Sequence, residues 1–157
     1  MKELKADLWI IPADVTVITT NGFVKNNGHS VMGRGCAKEA MTMYPTIDEY
    51  LGKVINASNG SFYAMDLGWW WKRHTESPLA QGHHIVALPV KKHWAHPARL
   101  DIILDTINDL VRLVNQQGWK FIVLPRPGCG NGHLDWESQV KPLIKDILDN
   151  RFTVVTK

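Results

Sequence analysis

Two glycine-rich segments contain the residues whose types and spacing suit the binding of a phosphate group. One reads MGRGCA over residues 32–37, and the other reads PGCGNG over residues 127–132. Glycine lets the backbone approach a ligand closely and adopt positive φ. Each segment precedes a predicted helix, whose first N–H groups lack intrahelical partners and attract anions. Either segment alone is equally compatible with a tight turn before a helix.

The second segment differs from the common phosphate-binding loops. No Gly-Lys-Ser/Thr follows it, which excludes a Walker A loop, and His133 stands where GxGxxG requires its last glycine. A concave nest of backbone N–H groups fits the segment better. Because two such segments occur in one small chain, we expect them to hold a diphosphate from both sides.

Predicted strands and helices alternate along the chain that carries these segments. We predict strands at residues 3–10, 15–20, 61–66, 84–90, 120–125 and 152–156, and helices at 36–45, 46–56, 98–116 and 136–149. Gly118 should end the third helix, and Pro142 should kink or delay the fourth. The alternation predicts an α/β fold with a mixed, mostly parallel sheet covered on both faces, in a single domain over residues 1–157. Both glycine-rich segments follow buried strands, at the edge where such sheets bind ligands.

Composition narrows the classes of protein that the chain can represent. It has 157 residues, a net charge of +3 and two cysteines, with no dense run of Lys and Arg. No apolar run reaches the roughly 20 residues that span a bilayer, and no signal peptide is evident. We therefore expect a cytoplasmic protein with reduced thiols and no membrane association.

Histidines and tryptophans offer two further kinds of site. The histidine clusters, His93 with His96 and His83 with His84, lack Cys or acidic partners at zinc-site spacing, so we expect neither a metal nor a cofactor. The stretch 68–83 is predicted as a partly exposed hairpin or loop. Within it, Trp69–Trp71 form either a stacking surface for single-stranded nucleic acid or a strand whose central Trp faces away from its neighbours.

The chain resembles the macrodomain family over nearly its whole length. The matching features are Asp7 in KADLW, the apolar strand that ends in TTNG, the MGRGCA segment, and PGCGNGHLDW before the last helix. The M-G-x-G-x-A pattern and the L-x-W after the second loop resemble a subgroup of glycohydrolases that remove ADP-ribose from protein or DNA. The resemblance implies a three-layer α/β/α fold, ADP-ribose as the ligand, and an ADP-ribosylated protein or nucleic acid as the partner.

The resemblance also implies a role for each matching residue. Asp7 would accept a hydrogen bond from the adenine amino group, helped by the Leu8 N–H, and Asn21 would lie beside the distal ribose. Asp7 is otherwise a surface residue and Asn21 a turn former. Arg34 either pairs with phosphate or lies in solvent. The backbone of the two loops would hold the phosphates, through Gly33, Gly35, Cys36 and Ala37 on one side and Gly128, Cys129, Gly130, Asn131 and Gly132 on the other.

Lys91 is the candidate catalytic residue, at the end of the strand HIVALPV. In the resembling glycohydrolases a Lys at this place attacks or activates the anomeric carbon of the distal ribose, which requires a neutral amine. Lys92 is the alternative, and the two should point in opposite directions. Gly132 departs from the pattern, because the protein-directed enzymes have an Asp there. Asp135 should instead cap the following helix.

The sequence leaves three functions open. The first is removal of ADP-ribose from a modified macromolecule with Lys91 as the catalytic residue. The second is a phosphatase of ADP-ribose 1″-phosphate, for which His133 is a candidate acid or base. The third is a non-catalytic reader of ADP-ribose or a related nucleotide. The oligomeric state is not predicted.

Overall fold

A computed structural model describes residues 1–71 and 82–157. Six strands form one sheet in the order β1-β6-β5-β2-β4-β3, parallel throughout except for the antiparallel pair β3–β4. The strands are β1 Lys2–Lys5, β2 Val15–Asn21, β3 Met65–Trp70, β4 His83–Lys91, β5 Ile122–Pro125 and β6 Phe152–Thr156. The α-helices are α1 Gly35–Met43, α2 Ile47–Ala57, α3 Leu100–Gln117 and α4 Lys141–Ile144. Within the described ranges, no helix is long and apolar enough to cross a membrane.

Helices cover both faces of the sheet, as the sequence predicts. Strand β2 shows the arrangement, since Val17 faces the cluster built with α3 and Ile18 faces the cluster built with α1 and α2. Both side chains are fully buried. Alternation of side chains along a strand produces this division wherever a strand is buried on both faces. The predicted mixed, mostly parallel sheet in a three-layer α/β/α fold is confirmed.

The predicted strand 3–10 is wrong beyond Lys5. A 3₁₀ turn occupies Leu8–Ile10, and Asp7 caps it by accepting a hydrogen bond from the Trp9 N–H at 2.9 Å. The Trp9 ring is buried and donates to Glu39 of α1 at 2.7 Å. The chain therefore turns at Asp7 because the cap and the buried indole compete with further strand pairing.

The predicted strand 61–66 is displaced, because β3 runs from Met65 to Trp70. The Trp70 ring packs against Tyr44 and Tyr50 at centroid distances of 5.8 and 6.1 Å, which fixes the strand late in the segment. The rings of Trp69 and Trp71 lie 6.1 Å apart and are 52% and 60% exposed. Trp70 therefore faces away from its two neighbours, as strand alternation predicts, and a stacking role for the exposed Trp69 and Trp71 stays a prediction. Residues 72–81 of the predicted hairpin or loop lie outside the described residues.

The predicted helix 136–149 is shorter and less regular than expected. It begins as a π-helical turn at Trp136–Val140 and continues as α4 to Ile144, after which the chain turns and brings Leu148 into the core. Proline lacks an N–H, so Pro142 occupies the first turn of α4, and the predicted delay is confirmed. Asp135 caps the π-helical turn by accepting from the Ser138 N–H at 2.7 Å, also as predicted.

Candidate functional site

A cleft of about 620 Å³ lies at the carboxyl ends of β2, β4 and β5. The two glycine-rich segments form its opposite walls, and the end of β4 with the residues after it closes one end. The position follows from the topology, because these strands are parallel neighbours and end at the same edge of the sheet.

A second cavity of about 500 Å³ continues the cleft toward the N-terminal turn. The two cavities share five residues, three from the glycine-rich segments and two from the end of β5 and the residue after it: Gly35, Cys36, Gly130, Pro125 and Arg126. A Cβ placed on Gly35 would lie 3.3 Å from the Asn131 side-chain nitrogen, so the segments approach each other closely. Together the cavities form one groove that extends from Leu8 to Lys91 and passes between the loops.

The first loop leads directly into α1. Gly35 has φ +59°, a conformation that favours glycine, and Arg34 precedes it in extended conformation with an exposed side chain. Helix geometry leaves the N–H groups of Gly35, Cys36 and Ala37 without intrahelical partners. The structure brings the five predicted residues of this loop to the wall of the cleft: Gly33, Arg34, Gly35, Cys36 and Ala37.

The second loop contains glycines of three different kinds. Gly128 has φ +74° and accepts a hydrogen bond from Leu134 N–H at 3.0 Å. A Cβ on Gly132 would lie only 2.4 Å from the Gly128 carbonyl oxygen, whereas Gly130 has no atom within 4 Å of that position. Among the residues that the structure describes, the N–H groups of Gly130 and Asn131 donate to no other group. These two amides are therefore available to an anion in the cleft.

Lys91 ends β4 and is 9% exposed. Its amine donates hydrogen bonds to two carbonyl oxygens, of Trp94 at 3.1 Å and of Asn131 at 3.2 Å. In residues 1–71 and 82–157, no carboxylate forms an ion pair with it. Burial lowers the pKa of Lys91 below its usual value, and the nearby Arg34 charge lowers it further. Lys92 is exposed, so the two neighbours differ in the way that strand alternation predicts.

Asn21 lies across from Lys91 in the register of β2 and β4, next to an irregularity between Thr20 and Asn21. Its side-chain nitrogen donates to the Val31 carbonyl, and its side-chain oxygen accepts from the Phe23 N–H, each at 2.9 Å. Asn21 also lines the cleft. It therefore forms the turn and borders the site at the same time, so the two alternatives are compatible.

The predicted adenine end of the groove is less complete. Leu8 lines the second cavity together with Ala6, but Asp7 between them does not. One Asp7 carboxylate oxygen accepts from the Trp9 N–H, and the other lies 3.9 Å from the Lys157 amine. The contact between Asp7 and adenine stays a prediction.

Arg126 and Trp136 line the groove but were missed in the sequence. The Arg126 guanidinium lies 5.1 Å above the centre of the Trp136 ring, and its nitrogen is 3.5 Å from Glu3. Arg126 borders both cavities. Its position directly after β5 was the available signal, because residues at that strand end face the ligand edge.

Both cysteines are free and line the second cavity. Burial raises the pKa of the Cys36 thiol, which also lies 3.4 Å from the Thr19 hydroxyl. Burial likewise raises the pKa of Cys129 to about 11. Neither thiol is therefore an activated nucleophile at neutral pH.

The histidines occupy different environments. His83 is buried between the Thr16 and Tyr44 hydroxyls, and the His93 and His96 rings lie 5.0 Å apart. Among the described residues, no three His, Cys, Asp or Glu side chains are grouped as metal ligands would be. His133 is exposed, has φ +61° and lines the cleft, which keeps it as a candidate acid or base.

Comparison with known proteins places the chain in a family. It is 30% identical over 154 residues to the DNA ADP-ribosyl glycohydrolase of Thermus aquaticus, covering 95% of this chain and 38% of that protein's length. The solved macrodomain of Mycobacterium tuberculosis DarG superposes with a TM-score of 0.74 at 24% identity, covering 99% of this chain and 97% of that one. The macrodomain of Thermus aquaticus DarG gives 0.72 at 26% identity, with the same coverage. No family model matches. The chain therefore belongs to the macrodomain family, in the subgroup of the DarG macrodomains.

Proposed function

We propose that this chain, as one macrodomain over residues 1–157, binds ADP-ribose and hydrolyses the bond that links it to DNA. Relatives at 30% and 32% identity are DNA ADP-ribosyl glycohydrolases, which supports the reaction and the kind of substrate. The chain spans only 38% and 31% of the length of those relatives. The proposal therefore concerns the chemistry of the groove and not the activities of a longer protein.

The shape of the groove suits a dinucleotide-like ligand. Its narrow middle lies between the two glycine-rich loops, where free N–H groups and the positive end of α1 favour a diphosphate. One end is bordered by Leu8 and by the Arg126 guanidinium stacked on Trp136, which suits a base. The other end reaches Asn21 and Lys91, which suits the distal ribose. The ligand would therefore present its reactive anomeric carbon to Lys91.

The buried amine of Lys91 is the observation that carries the hydrolase proposal. Its carbonyl partners hold the amine without neutralising it, and its lowered pKa increases the fraction that is neutral and nucleophilic. In the proposed step, the nitrogen lone pair forms a bond to the anomeric carbon while the bond from that carbon to DNA breaks. The departing group takes up a proton. Water then replaces the lysine, which releases ADP-ribose and restores the amine.

Binding is tested by calorimetry with ADP-ribose on the wild type and on Gly130→Val. The wild type should bind one ADP-ribose per chain. Gly130→Val should fold normally, because no atom lies within 4 Å of the added Cβ, yet the side chain would project beside the free amides and abolish binding. Wild-type protein that does not bind ADP-ribose would refute the proposed function at its first step.

Catalysis is tested on ADP-ribosylated single-stranded DNA, ADP-ribosylated peptide and ADP-ribose 1″-phosphate. Lys91→Ala should lower turnover of the DNA substrate by about 10²- to 10⁴-fold, the usual effect of losing a group that acts in the transition state. Lys92→Ala is the matched comparison and should lose far less activity than Lys91→Ala, because the Lys92 side chain is exposed. Turnover of ADP-ribose 1″-phosphate but of neither other substrate would favour the phosphatase function. Tight binding of ADP-ribose with no turnover of any substrate would favour a non-catalytic reader.

A further inference from the structure

The groove opens to solvent beside a small group of aromatic side chains that none of the proposed steps uses. We call Phe23, His93, Trp94 and His96 the aromatic lip. The His93 ring is at its centre, with Phe23 at 4.7 Å, Trp94 at 5.1 Å and His96 at 5.0 Å between ring centres. Trp94 lines the cleft and is nevertheless 52% exposed. An indole this exposed at the mouth of a binding site offers a flat apolar surface to a ligand.

The lip is held in place by the chain around it. The Trp94 carbonyl accepts a hydrogen bond from the Lys91 amine, and the Ala95 N–H donates one to the His93 ring nitrogen at 3.1 Å. The His96 N–H donates to the His93 carbonyl, also at 3.1 Å, which closes a tight turn. The Trp94 indole packs against the His93 ring with a tilt of 30° between the two planes. The aromatic lip is therefore preorganised, and a ligand that binds it loses little conformational entropy of the protein.

The two chain segments that form the lip are basic. Neither residues 22–27 nor residues 92–97 contain an acidic side chain, and both segments carry an exposed lysine, Lys25 and Lys92. Arg34 is exposed on the facing wall of the cleft. Basic side chains beside an exposed aromatic ring are the combination that binds single-stranded nucleic acid, through phosphate contacts and base stacking.

We propose that the aromatic lip binds the nucleic acid to which ADP-ribose is attached, with a base of that strand stacked on Trp94. The inference rests on the proposed function, because it takes the distal ribose to lie at Lys91. A strand linked to that ribose would begin next to Trp94, because Trp94 lines the cleft and its carbonyl accepts a hydrogen bond from the Lys91 amine. The lip then selects single-stranded DNA over a peptide that carries the same ADP-ribose.

The test compares Trp94→Ala and Trp94→Phe on two substrates, an ADP-ribosylated single-stranded oligonucleotide and an ADP-ribosylated peptide. Stacking on an aromatic ring contributes enough that its loss should lower kcat/KM for the oligonucleotide about tenfold. The kcat/KM for the peptide should fall much less, and Trp94→Phe should retain most of the wild-type kcat/KM for the oligonucleotide. Phe121→Ala is the matched control, since Phe121 is 65% exposed immediately before β5, at the opposite end of that strand from the cleft.

The outcomes separate this inference from the proposed function. Equal losses on oligonucleotide and peptide, or an unchanged kcat/KM for the oligonucleotide in Trp94→Ala, would overturn the stacking role while leaving the hydrolase intact. Wild-type protein without activity on either substrate would instead count against the proposed function. Calorimetry with free ADP-ribose on Trp94→Ala adds a second check. The fold loss in kcat/KM for the oligonucleotide should exceed any fold loss in affinity for free ADP-ribose by about tenfold.

Discussion

Gly132 and Gly130 allow the same substitution to be compared two residues apart in one loop. A Cβ on Gly132 would lie 2.4 Å from the Gly128 carbonyl oxygen and 2.6 Å from the Ala98 Cβ. Ordinary contacts between such atoms are about 3.5–4.0 Å. Neither neighbour can rotate away, since one is backbone and the other is the first atom of its side chain. Gly132→Ala must therefore displace the backbone, whereas Gly130→Ala meets no atom within 4 Å.

The expected cost of Gly132→Ala is that of overpacking, about 1–3 kcal/mol. For a chain of this size, 1 kcal/mol lowers Tm by roughly 2–4 °C, so Gly132→Ala should unfold several degrees below the wild type. Gly130→Ala should match the wild type or exceed it slightly, because alanine restricts the unfolded chain. Thermal denaturation followed by circular dichroism measures both. Equal Tm values for the two variants would contradict the close packing of Gly132 against Gly128 and Ala98.

The same geometry bears on the Asp that the family resemblance implies at this position in protein-directed glycohydrolases. Gly132→Asp would introduce the Cβ overlap together with a buried carboxylate, so its Tm should fall below that of Gly132→Ala. It should not raise activity on ADP-ribosylated peptide above that of the wild type. A stable Gly132→Asp variant with higher peptide activity than the wild type would mean that the loop can adopt the other arrangement.

Three further predictions follow from single contacts. The rate of ADP-ribosyl hydrolysis should rise with pH as the Lys91 amine loses its proton, at a pKa below the usual value for lysine. Arg34→Gln removes a nearby positive charge, so the pKa of Lys91 should rise and kcat at neutral pH should fall. Asp135→Ala removes the cap of the π-helical turn and should lower the midpoint of urea denaturation, because the Ser138 N–H loses its acceptor. Burial raises the pKa of Cys36 and raises that of Cys129 to about 11, so iodoacetamide at pH 8 should alkylate both thiols far more slowly than glutathione, as followed by mass spectrometry.

The central sheet could be predicted because its strands are nearly uniform in chemistry. The run VTVITT has no residue that prefers water strongly, and β2 is accordingly buried along its length. Helix α3 was predictable from its apolar stripe and from Gly118, which ends it with φ +71°. The chain order of strands and helices then located the glycine-rich loops at the ligand edge.

The errors occur where contacts distant in sequence outweigh local preference. Nothing in KADLWII indicates that the Trp9 indole will reach Glu39 of α1, yet that buried contact accompanies the turn that ends β1. The position of β3 depends in the same way on Trp70 packing against α2 and the turn before it. Such choices are made by tertiary packing, which periodicity in a short window does not contain.

The catalytic proposal also depends on a feature that tertiary structure determines, the register between β2 and β4. Sequence predicted Asn21 and Lys91 separately, each at the end of an apolar strand, but their pairing is a property of the register between β2 and β4. The irregularity between Thr20 and Asn21 shifts that register by one residue, so Asn21 is opposite Lys91 instead of Val90. A one-residue slip reverses the direction of every later side chain in a strand. The juxtaposition of the Asn21 amide and the buried Lys91 amine is therefore a consequence of strand pairing, and an insertion at residue 20 should separate them while leaving both glycine-rich loops in place.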